Sequence, residues 1–497
     1  MSSRAEILYP FSQEKELAET AERAHHILTL NKRTVDRNGE KYDVTIPSND
    51  FYVHQWNWDS ATHAMALIHL SPKRAYDEIL SLISGQHADT GLIPHIVFNP
   101  DESQNVDKIY FPGPTYWGTE KYHKGNIETS GITQPPLLAI SLDYIDHHAP
   151  KDNTHEAFIE QALPAVIKFH DGLKKFRDPD DSGLIIEVHP WATGRDNNPA
   201  TDKPLLITEL KNIPQRVNDM VDKQRTDDSI GKKEDRPSLD YYYRVLSLVD
   251  LFKSWGWDYE KIVAESPFAV KDMLTNSLWA RANESLAQTL ERRGQYREAK
   301  KYKGWAEQTK NAIAKTWNNE RKQYCDQDVS FDPQTGKKRN EPLLVNTIAT
   351  FAPLLAGAVT QEQLPYLLDK LEDPQQYGSS FPIPSTALND TVFNNTCYWR
   401  GPSWPITNLF TINGLERYAN DETISQELRE RCRTKQNNLI DSTLTMISEQ
   451  GFWEYFDPQT GKGHGRPHFS WTAAIYLYLY ENYRKQKHER DQTTSIQ

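Results

Sequence analysis

Two carboxyl groups in this 497-residue chain stand amid aromatic and glycine residues on expected loops. Asp196 lies in His189-Pro-Trp-Ala-Thr-Gly-Arg-Asp-Asn-Asn-Pro199, where Trp191 offers a stacking face, Gly194 permits close approach and Arg195 neighbours the carboxyl group. Glu454 lies in Gly451-Phe-Trp-Glu-Tyr-Phe-Asp457, between aromatic rings that would partly desolvate it. Such a pair suits hydrolysis of a glycosidic bond. That reaction needs one carboxyl group to protonate the departing oxygen and a second, on the other side of the bond, to activate water or attack the sugar. A cap, a turn or a surface charge is the competing explanation for any loop carboxylate, and it weakens here because both groups sit amid aromatic and glycine residues on loops. Asp59, in Tyr52-Val-His-Gln-Trp-Asn-Trp-Asp59, is a third candidate; it starts a helical pattern, so an N-cap explains it as well as a ligand does.

The rest of the composition fits a sugar pocket and argues against several other chemistries. There are 13 Trp and 24 Tyr, many beside polar residues, and aromatic faces stack on pyranose rings while polar neighbours bind the hydroxyls. The histidines His54, His63, His69, His87, His95 and His123 show no metal-ligand spacing, and no glycine-rich phosphate cradle is present. Ser403 and Ser470 lack the context of a nucleophile elbow. Metal, nucleotide cofactor and serine nucleophile are therefore not expected. A formal charge of −12 without long Lys or Arg blocks opposes nucleic-acid binding. Cys325, Cys397 and Cys432 are odd in number and read as reduced thiols. With neither a leader-like N-terminus nor a membrane-length apolar run, the expected setting is the cytoplasm, with no membrane partner.

The elements that must position these residues are helical. Helical periodicity covers Asp59–Leu70, Gln134–His148, Leu163–Phe176, Tyr241–Trp255, Ser403–Tyr418, Ser425–Glu449 and Ser470–Tyr483. Leu274, Leu278, Ala282, Leu286 and Leu290 recur at a spacing of four between Asp272 and Arg293; Gly294 stops the run and Tyr296–Trp317 begins another, an αα-hairpin. Turns of one kind recur between helices: Ala88-Asp-Thr-Gly91, Asp178-Pro-Asp-Asp-Ser-Gly183, and Phe-Asp-Pro-Gln-Thr-Gly at both 331–336 and 456–461. Equivalent turns at irregular intervals predict helical hairpins repeated around a ring, with polar loops on one face. The expected organisation is one all-α domain over 1–497. The least patterned stretch, Thr201–Pro237, fits a linker or, within a closed ring, a lid-like excursion.

Taken together, Trp56-Asn-Trp-Asp59, Gly91-Leu-Ile-Pro-His95, Trp191-Ala-Thr-Gly-Arg-Asp196, Tyr398-Trp-Arg-Gly-Pro-Ser-Trp404, Glu454-Tyr-Phe-Asp-Pro-Gln-Thr-Gly461 and Phe469-Ser-Trp-Thr472 resemble glycoside hydrolase family 63. The likeness runs from about Tyr52 to Tyr480. It implies an (α/α)₆ barrel that hydrolyses α-linked glucose or mannose with inversion, without a cofactor. It makes Asp196 the general acid and Glu454 the general base. It places Trp56, Trp58, Asp59, Tyr398 and Trp399 around the nonreducing sugar and makes Tyr52, His95 and Gly194 further substrate-binding residues. The segment Thr129-Ser-Gly-Ile-Thr-Gln-Pro-Pro136, after Tyr110-Phe-Pro-Gly-Pro114, is similar to the short branch acting on mannosylglycerate or glucosylglycerate. That similarity implies Tyr110 and Gln134 as ligands and Arg236 as the partner of the glycerate carboxylate, with Arg244 as the alternative cation. The competing functions are an α-glucosidase of short oligosaccharides, a trehalase-like hydrolase, and a noncatalytic sugar-binding protein or an epimerase; the last would want a pocket histidine pair.

Overall fold

Helix-forming stretches alternate with short turns along the chain, and in the computed structural model, which describes residues 5–100, 112–122, 124–206, 213–223 and 235–485, they close into two concentric rings. In chain order the helices are α1 (Ala5–Leu30), α2 (Asn57–Leu67), α3 (Pro72–Ser84), α4 (Leu138–His148), α5 (Asn153–Arg177) and α6 (Leu239–Ser254). Then follow α7 (Met273–Arg292), α8 (Tyr296–Ala314), α9 (Ala352–Ala356), α10 (Leu364–Glu372), α11 (Pro405–Ala419), α12 (Gln426–Gln450) and α13 (Ser470–Leu479). Helices α2, α4, α7, α9, α11 and α13 each pack on the next, and α13 packs back on α2. Around them, α3 lies on α2, α5 on α4, α8 on α7 and α12 on α11, while α10 packs on α12 and α1 lies along α13 and α12. The fold is an (α/α)₆ barrel.

Burial follows from this layering. All eleven residues of α2 are buried, as are nine of ten in α13, because an inner helix meets protein on every side. The sequence pattern located α7 and its turn to α8 within a residue. Asp272 caps α7 by accepting the Thr275 N–H at 2.8 Å. It misplaced the start of α5, which begins ten residues before Leu163 at an Asp152 cap and carries Pro164 in its interior. It also missed α1, α3 and α10. The stretch 134–137, expected to be helical, is not; α4 starts at Leu138, after Pro135 and Pro136.

Sheet among the described residues is confined to ladders of two or three short strands. One antiparallel pair, Trp453–Phe456 with Gly463–Pro467, bears on the site. The excursion at 201–237 is not without pattern. Val217, Met220 and Val221 form the buried face of a helix over Gln215–Lys223, which packs on α6. Residues 207–212 and 224–234 of that excursion, with Tyr110 and His123, lie outside the described residues. No described helix is long and apolar enough to cross a membrane.

Candidate active site

The inner helices run in one sense, so their N-termini meet at one end of the barrel, and the candidate residues gather there. Trp58 and Asp59 lie in the first turn of α2, Gln134 lies four residues before α4, Trp404 immediately before α11, and Trp471 in the first turn of α13. Together with the Asp196 segment before α7 and the Glu454 hairpin before α13, they enclose a cavity of about 90 Å³. Tyr52, Trp56, Trp58, Asp59, His95, Gln134, Gly194, Asp196, Arg236, Tyr398, Trp399 and Glu454 all line it. Tyr110 lies outside the described residues.

The Asp196 segment is built from a 3₁₀ turn over Pro190–Thr193. His189 sets this turn: its Nδ1 accepts the Trp191 N–H at 3.1 Å and its Nε2 meets the Val245 carbonyl at 3.0 Å. Burial lowers the His189 ring to about 4, so it is neutral. Gly194 follows with φ of +71°, and a Cβ there would stand 2.6 Å from Cη2 of Trp58. The glycine is thus what lets the Asp196 loop touch the aromatic wall. Arg195 departs from expectation. Its guanidinium turns away into the core, where it pairs with Asp272, reaches Asp326 at 3.4 Å and donates to Thr347 Oγ1 at 3.4 Å. The cation whose charge opposes the rise in the Asp196 pKa is instead Arg236, forty residues on. Desolvation in the pocket, reinforced by the charge of Glu454, pushes Asp196 up to about 7 despite Arg236.

Glu454 is 2% exposed. Its Oε1 accepts the Tyr52 hydroxyl and its Oε2 the Arg466 N–H, each at 3.2 Å. Burial holds this carboxyl above its ordinary range, opposed chiefly by Arg236. The hairpin that carries it is docked on the barrel: Phe456 exchanges two backbone hydrogen bonds with Ser403, at 2.8 and 2.9 Å, and the Trp471 indole donates to the Glu454 carbonyl at 3.4 Å. At its tip the Asp457 carboxylate accepts the Gln459 N–H and the Thr460 hydroxyl, both at 2.8 Å. In the twin turn at 331–336, Asp332 receives Gln334 N–H at 2.9 Å, so the repeated motif folds alike at both sites.

The remaining wall is aromatic. Trp399 lies flat on Trp404, centroids 4.0 Å apart and planes 1° from parallel, and Trp58 meets Trp471 edge-on at 5.5 Å. Asp59 is not an N-cap. The cap position of α2 belongs to Trp56, and the Asp59 carboxyl lines the cavity, where burial and the nearby charges of Glu454 and Glu78 raise it to about 8. Gln134 Oε1 accepts the Trp58 N–H at 3.2 Å, tying the loop before α4 to α2. His95 is held by Ser130 Oγ at 2.7 Å from Nδ1, and burial keeps its ring neutral. Arg236 is 6% exposed; its guanidinium stands 4.4 Å from the Tyr398 ring and donates to the Tyr52 hydroxyl at 3.3 Å. Arg244 does not line the cavity and binds Asp240 and the carbonyls of Leu205 and Leu206.

Sequence reasoning left out Pro47, Phe51, Tyr242, Trp404, Phe469 and Trp471, which also line the cavity, and used Trp191 only as a stacking face. Trp404, Phe469 and Trp471 fall within the Tyr398–Trp404 and Phe469–Thr472 motifs and are legible in the sequence. Pro47, Phe51 and Tyr242 carry no local signal. Among the described residues, no group of three or more His, Cys, Asp or Glu side chains is arranged to hold a metal ion.

Comparison with known proteins gives a consistent result. The sequence model of the mannosylglycerate hydrolase MGH1-like glycoside hydrolase domain matches residues 52–472. A mannosylglycerate hydrolase of Thermus thermophilus is 33% identical over 438 residues, 87% of this chain and 96% of its own. A glucosylglycerate hydrolase of Mycolicibacterium hassiacum is 32% identical over 459 residues, 89% of this chain and 95% of its own. The crystal structure of a family 63 mannosylglycerate hydrolase from Thermus thermophilus, in complex with Tris and D-glycerate, matches with a TM-score of 0.78 at 30% identity, covering 92% of this chain and 99% of that one.

Proposed function

This chain belongs to the mannosylglycerate hydrolase MGH1-like family of glycoside hydrolases, and from that premise we propose that its substrate is a small α-glycoside of glycerate, glucosylglycerate or mannosylglycerate, cleaved with inversion. The observation that carries this reading is the buried Arg236, which lines the same cavity as the two candidate carboxyls. The Arg236 guanidinium, which also meets the Tyr52 hydroxyl and the Tyr398 ring, can donate charge-assisted hydrogen bonds to a substrate carboxylate, and glycerate carries one.

In this mechanism Asp196 is protonated near neutrality and gives its proton to the glycosidic oxygen as the bond to the anomeric carbon breaks. Glu454, ionised beside Arg236, takes a proton from the water that attacks the opposite face of the sugar. Asp59, Gln134 and His95 hold sugar hydroxyls, with Trp56, Trp58, Tyr398 and Trp399 forming the walls around the ring, and Tyr52 and Arg236 face the carboxylate end.

The test is hydrolysis of a panel containing both glycosylglycerates, the matching glycosylglycerols, maltose and trehalose. A charge-assisted bond contributes on the order of 1.5–3 kcal/mol, so glycerate compounds should exceed their glycerol counterparts by roughly ten- to a hundredfold in kcat/KM. Proton NMR of the first product should show the β-anomer of the hexose. Preference for maltose or trehalose would replace this reading with an oligosaccharide α-glucosidase or a trehalase-like enzyme, and first release of the α-anomer would overturn inversion.

A further inference from the structure

We propose that Gly465 and the backbone N–H of Arg466 form a positioning device for the Glu454 carboxylate, a β-bulge aimed at the cavity that fixes the direction in which the base points. The proposal rests on the reading of Glu454 as the base. In the hairpin, Trp453 pairs with Pro467 and Tyr455 with His464, so Glu454 alone faces two residues, Gly465 and Arg466. Gly465 has φ of +73°, the left-handed conformation in which a bulge of this kind places a glycine. The extra residue interrupts the ladder, and the Arg466 N–H is directed at Glu454 Oε2.

The space is as specific as the hydrogen bond. A Cβ on residue 465 would stand 2.4 Å from Glu454 Oε2 and 2.7 Å from its Cβ, so any side chain there drives the carboxylate out of its present seat. The other oxygen is held by Tyr52, and the two supports are tied together. Arg466 Nη1 donates to Asp50 Oδ2 at 3.0 Å and its guanidinium lies 5.2 Å from the ring of Phe51, the two residues that precede Tyr52. Tyr52 on Oε1 and the Arg466 N–H on Oε2, with Tyr398 as a further side-chain donor, thus restrict how the carboxylate can turn and so the direction it presents to water. Of the groups facing Glu454, Arg236, Tyr52 and Tyr398 favour its charged form, while the charge of Glu454 in turn raises its neighbours Asp196 and Asp59. The Arg466 N–H adds a donor that does not titrate.

The experiment follows fluoride release from α-glucosyl fluoride and α-mannosyl fluoride across pH, because fluoride departs without needing a proton and the rate then reports the base. Gly465→Ala combines a strained backbone with the intruding Cβ. Gly465→Asn keeps the intruding Cβ on a residue that tolerates positive φ, and so keeps the test open if the alanine variant does not fold. With its base displaced, Gly465→Asn should lose about a hundredfold in kcat with KM within about threefold of wild type. The acidic limb of its rate profile should move to higher pH, since the carboxylate has lost a donor to its charged form. A folded Gly465→Asn with wild-type kcat and an unmoved acidic limb, or a loss confined to KM, overturns the proposal. Glu454→Gln is the reference. If it still releases fluoride, the base reading itself falls; if it is inactive while Gly465→Asn is unchanged, only the positioning role falls.

Discussion

Asp196 is a carboxyl group that one buried arginine and one buried glutamate pull in opposite directions, with desolvation deciding the outcome. Held up to about 7, it keeps a proton to give at neutral pH, and the rate should fall as pH rises through that value. On the proposed mechanism the acidic limb belongs to Glu454 and should lie above the ordinary glutamate range, because burial raises it. Asp196→Asn and Glu454→Gln should each lower turnover by several orders of magnitude, Asp196→Asn also removing the limb near pH 7; a pH–rate profile of each variant checks both. Asp59 makes a second case. Its folded pKa is about 8 against an ordinary 3.8, so its contribution to stability is present below about pH 4 and is lost as pH rises toward 8. Asp59→Asn should therefore raise the melting temperature more at pH 8 than at pH 4, while lowering kcat/KM at both. Melting curves beside kinetics show whether this residue trades stability for sugar binding.

At the level of elements, the Asp196 loop is joined to the barrel by Arg195. This side chain, 1% exposed, reaches the N-cap of α7 at Asp272 and the strand residue Asp326, which itself accepts the Met273 N–H at 2.6 Å. One cation thus bridges two buried carboxyl groups and fixes the loop that ends in Asp196. Replacing it by Leu leaves both acids without their guanidinium, and breaking a buried pair in this way costs about 3–5 kcal/mol. Denaturant unfolding of Arg195→Leu should show a loss of that size, with activity falling in proportion to the displacement of the acid loop. A stability loss under about 1 kcal/mol, the range of an exposed ion pair, would mean that the cluster is not the anchor.

On the scale of the whole molecule, the barrel is closed by the first helix. Leu17, Ala24, Ile27 and Leu28 of α1 are buried, α1 packs on α13 and α12, and Tyr476 of α13 donates to the Leu17 carbonyl at 2.9 Å. The last inner helix, whose first turn contributes Trp471 to the cavity, is thereby covered from outside by the start of the chain. Leu28→Ala, at a site with no exposure, should cost about 2–5 kcal/mol of stability. The effect should appear as a lower melting temperature with kcat unchanged in the folded protein, since Leu28 does not line the cavity. A loss of kcat at temperatures where the variant is fully folded would show instead that the outer ring transmits strain to the site.

The helical class, the α7–α8 hairpin and the twin Asp-Pro-Gln-Thr-Gly turns are legible in the chain itself, because spacing and turn chemistry act over a few residues. Asp196 and Glu454 stand out there too, since their aromatic and glycine neighbours adjoin them in the chain. Which charges meet is settled by packing. Arg195, next to Asp196 in sequence, turns into the core toward Asp272 and Asp326, while Arg236 supplies the cation of the pocket. The start of α5 was hidden by Pro164, which reads as a first-turn residue until packing and the Asp152 cap carry the helix past it. The ring closure by α1 and the two-against-one pairing at Glu454 left no local pattern either. Periodicity records how a segment folds on itself; the direction of a side chain, and the burial that shifts its proton, are set by segments that meet from hundreds of residues apart.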